Sequence, residues 1–147
     1  MTRALMLLIA AAAVSSAAGA SPCRDAVNAG YLGVTHSVGS NNCYLQYKTD
    51  WDKFSSISKC SNFTSVTGYD AATCDPLVFN FSKCSLQALK LLKPGNTLDD
   101  AAFQTLALNN QCSTDPNFAK AYPKCKSSTM KYLNFLRLFV CLKAAVP

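Results

Sequence analysis

The sequence predicts an all-α, disulfide-stapled bundle of about five helices preceded by an irregular N-terminal arm. Three observations carry that expectation. All eight cysteines follow a leader-like N-terminus. From Cys43 onward apolar residues recur at spacings of three and four, the period of one helix face. Asp-Pro and Pro-Gly pairs stand where helices of that period are expected to start and stop.

Residues 1–20 read as a signal peptide. Arg3 supplies the positive n-region, residues 4–14 an unbroken apolar stretch, and Ala18-Gly19-Ala20 the small-residue pattern after which signal peptidase cuts. The mature chain is therefore expected to begin at Ser21 and to be secreted to the extracellular space. It is one domain's worth, able to bury roughly two thirds of the surface its unfolded chain exposes. The apolar stretch 130–146 is interrupted by Lys131, Arg137 and Lys143. A membrane span needs about 20 apolar residues, so no stable membrane anchor is expected.

The cysteines are Cys23, Cys43, Cys60, Cys74, Cys84, Cys112, Cys125 and Cys141. An even count on an oxidising export route reads as a disulfide framework. Structural zinc wants cysteine pairs two to four residues apart, and a catalytic thiol wants a CxxC pair or a basic partner. Neither pattern occurs, so no metal and no cofactor is expected. Eight cysteines allow 105 pairings, and the sequence does not choose among them.

Residues 21–42 hold Gly30, Gly33 and Gly39 and read as the irregular arm, tied to the body through Cys23. Residues 43–147 form the helical, cysteine-rich domain. In "CYLQYKTDWDKFSSI" Tyr44, Tyr47, Trp51 and Phe54 fall on one helix face. In "DPLVFNFSKCSLQALKLLKPG" Asp75 is the expected cap, Pro76 fits the first turn, and Pro94-Gly95 stops the helix. Leu77, Phe81, Cys84, Ala88 and Leu92 share a face there, which turns Cys84 toward the core. "TLDDAAFQTLALNNQ" opens with Thr97 and Asp100 at capping-box spacing and lines up Phe103, Leu106 and Ala107. In "STDPNFAKAYPKC" Asp115-Pro116 starts a short helix that Pro123 ends. Ser127 or Ser128 is expected to cap "TMKYLNFLRLFVCLKAA". On that helix Tyr132, Leu133, Phe135, Leu136, Phe139 and Val140 cover half the circumference, and Cys141 points the other way. Residues 65–69 are the one candidate for a short strand.

Exclusion narrows the function. The chain has no glutamate and a single histidine, His36, which removes most general acid–base pairs. Most of its aspartates stand where caps and turns are expected, Asp99 and Asp100 among them, which argues against a glycosidase dyad. The histidine lacks the flanking cysteines of a secreted phospholipase, and there is no GxSxG, phosphate loop or HExxH. A non-enzymatic protein is expected.

Fourteen basic residues, Arg3 among them, face eight acidic ones, and none of the acidic residues follows Asp115. Lys120, Lys124, Lys126, Lys131, Arg137 and Lys143 make the C-terminal third basic, which suits an anionic membrane or polysaccharide surface. The plainer reading of these dispersed lysines is a solvated face. A secreted chain without a recognition motif is not expected to bind nucleic acid. Asn62 in "NFT" and Asn80 in "NFS" are glycosylation acceptors, with Asn62 the better one because it lies in an expected loop.

The aromatic stripe is most simply helix core. The sharper reading is an apolar pocket between the first and last helices, bordered by Tyr44, Tyr47, Trp51, Phe54, Tyr132, Leu136 and Phe139, that binds a sterol or other lipid. Tyr47 and Tyr132 would then orient the ligand's polar group.

Cys43, Cys60 and Cys84 take the form C-x16-C-x23-C, counting past Cys74, with "TGY" at Thr67–Tyr69, "CSLQALKLL" after Cys84 and "NQCSTD" at Asn110–Asp115. This pattern resembles the elicitins and elicitin-like proteins of oomycetes. Leu89 stands where that family has a second cysteine, and eight cysteines replace its usual six. The resemblance implies an all-helical, disulfide-bonded extracellular protein that binds sterols or other lipids and triggers plant defence responses; no binding residue is carried over from it. Two classes therefore stand open. A carrier predicts a dry cavity bordered by the aromatics. An extracellular structural or interaction module, such as a matrix, venom or surface component, predicts a filled interior and a basic contact surface.

Overall fold

A computed structural model describes residues 20–40 and 42–147, so nearly all of the expected signal peptide lies outside the described residues. These residues form eight α-helices: α1 (Pro22–Ser40), α2 (Cys43–Gln46), α3 (Lys48–Ser56), α4 (Ser58–Ser61), α5 (Ala71–Ala88), α6 (Asp100–Ala102), α7 (Pro116–Thr129) and α8 (Phe135–Ala145). A two-stranded antiparallel hairpin, β1 (Leu92–Lys93) and β2 (Thr97–Leu98), follows α5, in the register Leu92–Leu98 and Lys93–Thr97. The chain is thus mostly helical, with more and shorter helices than the five expected.

The core is built around α8, which packs on α7 and α1. Phe135, Leu138, Phe139 and Leu142 are fully buried, and Leu136 and Val140 nearly so. Apolar cover on nearly every side makes α8 the central helix rather than a one-faced one. Asn134 caps it, its Oδ1 accepting from the Arg137 N–H at 3.2 Å. Ser127 and Ser128 are not caps: their hydroxyls donate back to the Lys124 and Cys125 carbonyls within α7.

The irregular arm is the main correction. Residues 22–40 are helical, with Cys23, Ala26, Val27, Gly30 and Val34 buried at a 3.6-residue period. Ser21 caps the helix, its Oγ accepting from the Arg24 N–H at 3.1 Å. Gly30 serves contact rather than flexibility. A Cβ placed there would lie 2.5 Å from the Ala107 carbonyl oxygen and 2.9 Å from Phe139.

Other boundaries move for local reasons. The stretch expected as one helix from Cys43 is broken at Tyr47 and again at Ile57, whose backbone is extended (φ −91°, ψ 116°). Helix α5 starts a turn early because Asp70, not Asp75, caps it by accepting from the Thr73 N–H. Pro76 therefore sits inside the helix, and Asp75 is buried. Well before Pro94-Gly95, α5 ends in a Schellman turn. Lys90 is left-handed (φ 58°), the Leu91 N–H reaches the Leu86 carbonyl, and the Lys90 N–H reaches that of Gln87. Pro94, Gly95 and Asn96 then make the hairpin loop, with positive φ at Gly95 and Asn96.

The strand lies in this hairpin; residues 65–69 are bends and coil. Thr97 is in β2 and caps nothing. Asp99 caps α6 with bonds of 3.1 Å from the Ala101 and Ala102 N–H groups, and a π-helical turn, Phe103–Ala107, continues it. Asp115 caps α7 as expected, accepting from the Phe118 N–H at 2.9 Å, but the helix runs through Pro123 to Thr129.

All eight cysteines pair: Cys23–Cys112, Cys43–Cys84, Cys60–Cys74 and Cys125–Cys141. They tie α1 to the loop before α7, α2 to α5, α4 to α5, and α7 to α8. Cys84 is only half-buried, at the edge where α2 lies on α5, rather than in the core.

Candidate functional site

Of the residues predicted to border a ligand pocket, Trp51, Phe54, Leu136 and Phe139 fall in two packed clusters, and Tyr44, Tyr47 and Tyr132 lie outside both. Trp51 lies 5.4 Å from Phe54 and 5.0 Å from Phe81 between ring centroids, and Phe63 and Tyr69 complete that group. Phe139 belongs to the main core, 6.3 Å from Tyr31 and 5.5 Å from Phe103. Leu136 joins the main core, and Trp51 touches both clusters. Tyr132 meets Phe79 edge-on at 6.5 Å. Tyr44 and Tyr47 are half-buried, and the Tyr47 hydroxyl accepts from Gln46 Nε2 at 3.1 Å. Rings packed on rings occupy the space that a ligand among these residues would need.

A better apolar opening lies elsewhere. Ala29, Gly30, Gly33 and Val34 of α1 form one wall of a cleft, Leu89 and Leu91 of the Schellman turn a second, and Leu106, Ala107 and Asn109 beside the π-helical turn a third. Its volume is about 250 Å³, and no charged side chain lines it. Gly30 lets the π-helical turn press onto α1, whereas a Cβ at Gly33 would meet nothing within 4 Å. Leu106 on the rim is 58% exposed. The helical spacing from Cys23 to Val34 was the sequence signal for this wall, and the glycines that build it are what disguised it as a loop. A second depression, about 290 Å³, is lined by Tyr31, Thr64, Val66, Val140, Lys143 and Ala144. There the Lys143 ammonium sits 4.9 Å above the Tyr31 ring.

The polar clusters are bonded inward. The buried Asp75 carboxylate accepts from the Tyr69 hydroxyl at 2.6 Å and from Asn134 Nδ2 at 2.7 Å. Arg137 stacks on Tyr69 at 4.5 Å and donates to the Phe63 and Ser65 carbonyls, pinning the loop after α4 onto α8. Burial, and then the bond to Asp75, push the Tyr69 hydroxyl well above the ordinary tyrosine range. Tyr122 is raised for the same reasons by burial and Asp100. Burial alone would raise the Asp100 carboxyl too, but bonds from Lys126 Nζ (2.6 Å) and the Tyr122 hydroxyl (2.5 Å) outweigh it and hold the group below the usual carboxylate range.

Asp99 and Asp100 thus serve as a cap and an ion-pair partner. Among the described residues no group of three or more His, Cys, Asp or Glu side chains is placed to hold a metal ion. No described helix is long and apolar enough to cross a membrane.

The basic C-terminal third is partly spent internally. Lys126 pairs with Asp100, Arg137 holds carbonyls, and Lys131 and Lys143 lie over Tyr132 and Tyr31. Lys120 and Lys124 remain exposed on α7. Asn62 is exposed just after α4, and Asn80 is exposed on α5. Comparison with protein-family models, with curated proteins and with solved structures found no match for this chain.

Proposed function

We propose that the chain is a secreted, non-catalytic recognition protein that takes an apolar chain in the cleft between α1 and the π-helical turn. The cleft itself carries the reading: an uncharged trough with an empty position over Gly33. Its volume of about 250 Å³ falls just under the roughly 300 Å³ at which small-molecule pockets usually begin. It suits an alkyl chain or the edge of a sterol better than an engulfed sterol. The four disulfides are compatible with an oxidising compartment and let a small domain keep such an opening, because covalent ties replace part of the packing it forgoes. The elicitin-like motifs between Cys43 and Cys84 favour the same ligand class. Inward-bonded carboxylates favour binding over catalysis.

Native mass spectrometry of the secreted protein, followed by solvent extraction and lipid analysis, tests this reading together with Gly33→Leu. That substitution fills the cleft without meeting another atom at its Cβ. The wild-type protein should carry a lipid or take up a fluorescent sterol, and the variant should do neither. An empty wild-type protein that refuses the sterol would sink the proposal. The reading left standing is then an extracellular interaction module, which the ring-on-ring packing of Trp51, Phe54, Phe63 and Phe81 favours.

A further inference from the structure

A separate surface lies where α7 meets the end of α8. Asn117, Lys120, Ala121, Lys124 and Ala145 line a trough of about 310 Å³. Positions 117, 120, 121 and 124 recur at three- and four-residue steps, so their side chains stand on one face of α7. Lys126 is turned about 200° from Lys124 around the same helix, at roughly 100° per residue, and is neutralised there by Asp100. Lys120 and Lys124 make no ion pair among the described residues.

The electrostatics near the trough favour an anion. The acidic side chain nearest in sequence to Asn117, Lys120 and Lys124 is Asp115, which is engaged as the cap of α7, and no acidic side chain follows it. The carbonyls at the end of α8 would repel an anion, but Arg24 donates to those of Lys143 and Val146 and offsets them. Asn117, in the first turn of α7, adds an amide beside the positive end of that helix.

We infer that this trough is a binding site for an acidic polysaccharide, with Lys120 and Lys124 contacting successive anionic groups and Asn117 donating to a sugar oxygen. Two lysines one helical turn apart along a concave strip match a chain carrying charge at intervals. A membrane surface is a poorer fit, because interfacial binding couples basic residues to apolar side chains that insert. Among the described residues the large exposed apolar ones, Leu32, Leu45, Val66 and Leu106, all lie outside the trough. This site shares no residue with the apolar cleft, so each proposal can fail without the other.

The test is binding of the folded, disulfide-bonded protein to polygalacturonate at about 0.1 M salt, where only close charges still attract strongly. Lys120→Gln/Lys124→Gln should weaken binding roughly ten-fold or more, a size typical of two lysines near an anionic surface. Lys53→Gln/Lys59→Gln removes the same charge from exposed sites on α3 and α4 and should change it less than about two-fold. Equal losses from the two pairs would show a net-charge effect only and overturn the site. Absence of binding at this salt concentration would also overturn it, as would binding confined to vesicles containing phosphatidylserine.

Discussion

The Asn134 side chain donates to the Asp75 carboxylate at 2.7 Å and accepts from the Arg137 N–H at 3.2 Å, so one residue satisfies a buried acid on α5 and caps α8. Asn134→Ala removes both functions. A lost cap costs about 1 kcal/mol, and a buried acceptor stripped of a donor costs about 1–3 kcal/mol. Urea denaturation should therefore show a loss of about 2–4 kcal/mol. Asn134→Asp keeps a cap acceptor but sets two carboxylates together. At pH 7 the like charges should make it at least as damaging as the alanine variant. An alanine variant within about 0.5 kcal/mol of wild type, as is usual for an ordinary surface position, would show that the Asp75 network does not hold α5 to α8.

Tyr69 and Tyr122 make the fold sensitive to alkali. Both hydroxyls are pushed up, by burial first and by a neighbouring carboxylate second, so the folded state favours the neutral phenol. That contribution is fully present below the unfolded tyrosine value, near 10, and is lost as pH rises beyond it. Tyrosinate absorbance of these two residues should accordingly appear together with the loss of helical circular dichroism. Tyr69→Phe/Tyr122→Phe should start less stable at pH 7 and lose less between pH 9 and pH 11. Ionisation of either hydroxyl in a chain that is still fully helical would contradict this.

Gly30 and Gly33, one turn apart on α1, should respond oppositely to alanine. At Gly30 the new methyl meets the Ala107 carbonyl at 2.5 Å and Phe139 at 2.9 Å. Backbone cannot yield as a flexible side chain does, and overpacking of this kind typically costs about 1–3 kcal/mol. At Gly33 nothing lies within 4 Å, so the helix propensity of alanine should add about 0.5–1 kcal/mol. Thermal melts of the two variants moving in the same direction would refute the assignment of Gly30 as the contact between α1 and the π-helical turn.

Helical character, the Asp115 cap and the staple role of every cysteine were legible in the sequence because each depends on local chemistry or composition. Cap choice was less so. Asp70 and Asp75 both precede a helical stretch, and only the tertiary partners Tyr69 and Asn134 make Asp75 a core residue. Helix α1 was obscured because glycine signals both flexible loops and close helix contact, and a single sequence does not distinguish them. The cleft was illegible for a related reason: a Schellman turn, a helix wall and a π-helical turn from three separate segments form it. The aromatic stripe was read as one helix face, but the breaks at Tyr47 and Ile57 send its rings to different neighbours.

Pro123 lies inside α7, where its ring lacks the N–H that would reach the Ala119 carbonyl. The helix nevertheless continues, and Cys125, just beyond, is joined to Cys141 of α8. The bond holds the turn after Pro123 by a tie that does not depend on hydrogen bonding across the proline. Removing it as Cys125→Ala/Cys141→Ala opens a loop spanning a sequence separation of 16 and should cost about 3 kcal/mol. Pro123→Ala restores the missing hydrogen bond. It should gain about 1 kcal/mol in the intact protein and roughly twice that without the disulfide, where helix propagation carries more of the order of residues 124–129. Four-way comparison of denaturation midpoints measures the coupling. Additivity within about 0.5 kcal/mol would mean that the disulfide stabilises the α7–α8 pair independently of the proline.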